Sequence, residues 1–131
     1  MTKQITGSFQ ITAWDEKPYA ELEGGAKLTS ASVKQSYSGG IEGTSVIEYL
    51  MVHRADQTAT FVGHELITGS IEGRNGSFVT QHNGTFENGI AKSKWVIVSS
   101  SGTGALLDIS GQGSFVSGEQ DRADYLLTSA V

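Results

Sequence analysis

Apolar and polar side chains alternate with a period of two along most of this chain, and glycine-bearing turns cut the runs short. A helix needs a period near 3.6, so the pattern commits the chain to strands. Eight segments carry it: Lys3–Ala13, Leu28–Ser38, Gly40–His53, Thr58–Ile71, Ser77–Phe86, Ile90–Ser99, Gly111–Val116 and Asp124–Val131. Turn signals at Gly39-Gly40, Ala55-Asp56, Asn75-Gly76 and Asn88-Gly89 join the central ones. Two connections are longer. Trp14 to Lys27 carries the only proline, Pro18, and Ser100 to Ser110 contains Ala105-Leu106-Leu107, which suits a single helical turn. Glycine is 17 of 131 residues, about 13% against roughly 7% in an average chain, and favours tight turns and close strand packing. The length suits one domain, residues 1–131.

Turn lengths set which side chains share a face, because opposed residues of an antiparallel pair do. Two-residue turns at Gly39-Gly40, Asn75-Gly76 and Asn88-Gly89, with four residues over Arg54–Gln57, set Val33 opposite Val46 and Val46 opposite Glu65. They also set Gly69 opposite His82 and His82 opposite Trp95. One face then gathers Ala31, Val33, Gln35 and Tyr37 with Val46, Glu48, Leu50 and Val52. It continues through Phe61, Gly63, Glu65 and Ile67, then Phe78, Thr80, His82 and Phe86, and ends on Ala91, Ser93, Trp95 and Ile97. The other face carries Lys34, Ser36, Gln81, Asn83, Thr85, Lys92 and Lys94 and suits water. The expected fold is all-β, a single closed antiparallel barrel of about eight strands, lipocalin-like in that its interior is filled by side chains or holds one small ligand. A polar exterior excludes a lipid-facing barrel. Five apolar residues fall on the outer face, Ile47, Tyr49, Met51, Val62 and Leu66, and point to a homo-oligomer, the alternative being that the Trp14–Lys27 connection folds across them and buries Tyr19 and Leu22.

Composition removes several functions. Nine basic residues against 14 acidic ones give a formal charge of −5, the wrong sign for gripping nucleic acid. With no cysteine there is no disulfide framework, thiolate metal site or cysteine nucleophile. His53 and His64 are expected outside and His82 inside, so no metal site converges. The glycine signatures of phosphate-binding loops and the nucleophile elbow are missing, which leaves no cofactor expected. The opening residues lack the apolar stretch of a signal peptide, no window is apolar enough for a membrane helix, and a cytoplasmic protein is expected. Asn75 and Asn83 begin glycosylation sequons but read as turn and strand chemistry.

Three titratable side chains lie on the expected inner face: Glu48, Glu65 and His82. Charges in a barrel interior are costly unless paired or hydrated. Two carboxylates sharing a dry lumen repel one another, which favours one that keeps a proton and suits acid–base work. Glu48, Glu65 and His82 are thus the candidate catalytic residues. Tyr37, Leu50, Phe61, Phe78, Phe86 and Trp95 are the candidate ligand-binding wall.

The stretches Gly7-Ser-Phe, Trp14-Asp-Glu-Lys-Pro-Tyr19, Ile41-Glu-Gly-Thr-Ser45 and Glu48-Tyr49-Leu50 resemble, in that order, the bacterial domain-of-unknown-function 3224 family. So do Phe61-Val-Gly63, Gly73-Arg74-Asn-Gly-Ser-Phe78 and Ser101-Gly-Thr-Gly104, and the likeness spans nearly the whole chain. It implies a small antiparallel barrel similar to that of plant allene oxide cyclases. Those enzymes act without a cofactor on an unstable lipid epoxide in the lumen, use an aromatic and aliphatic cavity with a glutamate and bound water, and assemble as oligomers. No motif here transfers that site residue by residue, and no cysteine matches its thiol; fold alone does not fix function. The expected function is binding of a small, mainly apolar molecule in the lumen. The alternatives are a cofactor-free isomerase or cyclase using buried carboxylates, and a structural or assembly protein with a filled barrel.

Overall fold

The computed structural model describes residues 2–117 and 121–130. Its eight strands are β1 (Lys3–Glu21), β2 (Lys27–Gly39), β3 (Ile41–His53), β4 (Ala59–Ile71), β5 (Arg74–Glu87), β6 (Ile90–Ile97), β7 (Ser110–Ser117) and β8 (Arg122–Ala130). Each pairs antiparallel with the next, and β8 returns to β1, so the sheet closes into a barrel. The one helical piece among the described residues is the 3₁₀ turn Gly104–Leu106, where the alanine–leucine run led us to expect it. Val131, expected in the last strand, lies outside the described residues.

The first long connection is mostly strand. β1 continues past Ala13 to Glu21, pairing Trp14 with Val33 and Pro18 with Thr29, with irregularities at Ile11/Ala13 and Pro18/Ala20. Proline suits an edge, and β8 pairs with β1 only up to Gln10, which leaves one border of β1 at Pro18 without a paired strand among the described residues. Tyr19 and Leu22 stay exposed and cover nothing.

Two hairpins are one residue longer than expected. β2 and β3 pair Val33 with Ile47 and Tyr37 with Gly43, so three residues rather than two make that turn. β3 and β4 pair His53 with Ala59, and the loop closes with the Arg54 N–H donating to the Thr58 carbonyl at 2.8 Å. A one-residue slip turns every side chain to the other face. The first slip inverts β3, and the second restores β4. Consequently Ile47, Tyr49 and Met51, expected outside as an oligomer contact, are buried in the lumen. Val46, Glu48 and Leu50 lie outside, and His53 moves inward to the barrel mouth. The expected Asn75-Gly76 turn is displaced to Glu72-Gly73, where both residues have positive φ (51° and 80°). Gly76 instead sits within β5, where a Cβ would strike the Thr103 carbonyl of the segment packed against that strand. The Asn88-Gly89 turn and the His82–Trp95 register are as expected.

The lumen is layered. One end is plugged by Leu106 and Ile109, which pack into the core with Ile41, Ile71 and Phe78. Leu127 faces in, fully buried, and Leu126 faces out. The other end opens between His53, Gly89 and Asp121.

Candidate functional site

β4, β5 and β6 each turn a polar side chain into the middle of the barrel, and these make a continuous belt. Glu65 and His82 are both 1% exposed at their side chains. The β4–β5 register sets Glu65 opposite Thr80 and Gly63 opposite His82, making the carboxylate and the imidazole diagonal neighbours. Their Oε1 and Nε2 atoms are 2.7 Å apart. The Tyr37 hydroxyl donates to Glu65 Oε2 at 2.6 Å, and Thr80 Oγ1 to Oε1 at 3.4 Å. His82 Nδ1 meets Ser93 Oγ at 2.9 Å. Burial, then the charge of Glu65 and the bond to it, push the Tyr37 hydroxyl well above its ordinary pKa; burial and Glu65 do the same to Tyr49. A carboxylate and a histidine satisfied on both ring nitrogens can occupy an interior at tolerable cost.

The belt is roofed. Tyr49 and Phe115 both pack their rings on His82, at centroid distances of 5.8 Å and 5.7 Å. Above them lies a cavity of about 490 Å³ that opens at the mouth. Phe9, Tyr49, Met51, Phe61 and Phe115 wall it, and Trp14, Phe86 and Arg122 stand among its further lining residues. Gln35 lines it as well, and its Oε1 is buried without a hydrogen-bond partner among the described residues.

At the rim is a second carboxylate–histidine pair. Glu16 Oε2 lies 2.7 Å from His53 Nε2. Thr29 Oγ1 donates to the same oxygen at 2.7 Å, and Trp14 Nε1 donates to Oε1 at 3.0 Å. Partial burial opposes ionisation of Glu16, but the bonds from Thr29, His53 and Trp14 outweigh it and hold the carboxyl below its ordinary range.

Of the candidate catalytic residues, Glu65 and His82 come together, whereas Glu48 is on the exterior, bonded to Ser32 Oγ at 2.9 Å. Among the described residues, Glu48 and Glu65 do not share the lumen as expected. Of the candidate wall, Phe61 and Phe86 line the cavity, Tyr37 and Trp95 belong to the belt layer, and Phe78 fills the core. Leu50 is 53% exposed on the outside. Sequence reasoning missed Phe9, Phe115, Glu16 and His53. Their signal lies in the alternation of β1 and β7 and in the parity of β3. Among the described residues no group of three or more metal-ligating side chains converges, and no helix is long and apolar enough to cross a membrane.

No curated protein matches the chain. A solved structure does: a protein of unknown function from the DUF3224 family of Shewanella oneidensis MR-1, 28% identical, with a TM-score of 0.81 over 99% of this chain and 98% of that one. The family model described as "Protein of unknown function (DUF3224)" matches residues 5–128, and the chain belongs to that family.

Proposed function

We propose that the upper lumen binds a small, mainly apolar molecule and that the protein does so in the cytoplasm. The observation that carries this reading is the cavity of about 490 Å³, whose walls are mainly aromatic and aliphatic and where the amide oxygen of Gln35 is buried without a partner among the described residues. Such a space gains by exchanging water for apolar surface, and its few polar groups orient what enters. The belt below supports the barrel, since its groups already satisfy one another.

Trp14 lines the cavity and reports on it. Titration with the apolar probe N-phenyl-1-naphthylamine should change Trp14 emission saturably. Ala91→Phe, which projects a ring into the same space, should weaken binding about tenfold or more, or at least 1.4 kcal/mol, while leaving the thermal unfolding midpoint in place. Equal affinity in both proteins would place the probe elsewhere and remove the reading.

The exterior supports a second proposal, self-association through β3 and β4. Val46, Leu50, Val62 and Leu66 form two cross-strand pairs with 42–53% exposure. Glu48 and His64 lie opposite each other between them, so a two-fold related copy can set each carboxylate against the other's imidazole. Leu50→Glu is expected to lower the mass seen by light scattering, and a monomer before and after denies the contact.

A further inference from the structure

The two carboxylate–histidine pairs differ in access. Glu65 and His82 are sealed beneath Tyr49 and Phe115, whereas the side chains of Glu16 and His53 are 25% and 30% exposed and line the open cavity. The rim pair is also built to hold one geometry. Three donors converge on Glu16, from Thr29, Trp14 and His53, so its position and charge are fixed. With Nε2 donating to that carboxylate, the imidazole is held in the tautomer whose Nδ1 carries a lone pair. Nδ1 has no hydrogen-bond partner among the described residues. Met51, Phe61 and Phe86 surround this end of the cavity with apolar surface.

Resting on the cavity reading, we propose that His53, positioned by Glu16, is a general base that moves a proton on a mainly apolar, enolisable carbonyl compound bound in the lumen. The step needs no co-reactant. The α C–H bond breaks and an N–H bond forms at Nδ1, while the electron pair passes into the carbonyl to give an enolate. Returning the proton from the imidazolium to carbon, at the same or a conjugated position, completes exchange or isomerisation. Glu16 balances the imidazolium. The other charged groups nearby are Lys27, opposite His53 on β2, and Asp121 and Arg122 across the mouth. Arg122, exposed at the mouth and without an ion pair among the described residues, is the cation that this proposal assigns to the enolate oxygen.

The test uses 2-tetralone in D₂O with the intact protein, following loss of its α-proton signals by NMR and its binding by Trp14 emission. The protein should accelerate exchange beyond an equal concentration of free imidazole. His53→Gln, whose amide can still bond Glu16, should still bind the ketone saturably and lose about 100-fold or more of the exchange rate. Glu16→Gln should slow exchange and move the midpoint of its pH profile toward acid, a change that loss of a mere structural clamp does not produce. Binding without acceleration, or acceleration that survives His53→Gln, overturns the proposal and leaves the cavity reading standing. Failure of the ketone to bind where N-phenyl-1-naphthylamine still does overturns this proposal alone, and failure of both removes the cavity reading as well.

Discussion

Replacing His82 with leucine is expected to lower the free energy of unfolding by about 3–5 kcal/mol. The histidine lies 2.7 Å from a carboxylate that is 1% exposed. Without it, Glu65 keeps only the hydroxyls of Tyr37 and Thr80 in a space that admits no water from the cavity, because Tyr49 and Phe115 roof the belt. The loss measures the cost of a stranded carboxylate more than the worth of the pair. The triple variant Tyr37→Phe, Glu65→Leu, His82→Leu should therefore recover most of it, since replacing a whole buried polar set by apolar groups is often close to neutral. Urea titrations of wild type and both variants check this. A single variant within about 1 kcal/mol of wild type would mean that the belt is hydrated after all.

Alkali is expected to act as strongly. Tyr37 and Tyr49 carry pKa values raised well above the ordinary 10, burial being the first cause and the Glu65 charge the second; Tyr125 is raised as well, chiefly by burial. The unfolded chain releases those protons near pH 10 while the native barrel retains them. The resulting stability is fully present below pH 10 and is lost as pH rises from there toward the folded-state values. Each tyrosine contributes a slope of up to about 1.4 kcal/mol per pH unit. Denaturation curves between pH 7 and 11.5 should fall steeply beyond 10, and Tyr37→Phe, weaker at neutral pH for want of its bond to Glu65, should fall less steeply. A flat wild-type profile to pH 11.5 would show that the tyrosines are not sealed.

The barrel was legible in the sequence because alternation and glycine turns act locally, and closure follows once eight such strands exist. The inner faces of β2, β4, β5 and β6 were legible too, including Glu65, His82 and the His82–Trp95 register. β3 was not. It is apolar on both faces, with Val46 and Leu50 outside and Ile47, Tyr49 and Met51 inside, so its pattern could not decide between registers one residue apart. Only loop length could, and the glycine pair and the Arg54–Thr58 loop each hold one residue more than their sequences advertise. The two offsets cancel beyond β3, so Glu65 faces inward as the alternation implies while Glu48 faces out. The meeting of Glu65 and His82 at 2.7 Å depended on a further shift, of the β4–β5 turn to Glu72-Gly73. Asn75-Gly76 is the stronger local turn signal, but Gly76 is needed where Thr103 crosses. The rim pair was hidden for another reason: Pro18 argues against a strand unless the partner on that side is known to be missing.

That missing partner leaves a mark on the barrel's outline. β8 pairs with β1 only as far as Gln10, so among the described residues β2 is the one strand that the remainder of β1 is laddered to. This overhang is where a stray strand from a neighbouring molecule could add itself. Asp15, Lys17 and Pro18 sit along that free border, charges and a ring that discourage such adhesion. Stripping them to valine should turn a well-behaved solution into one that fibrillates on standing, whatever the lumen holds.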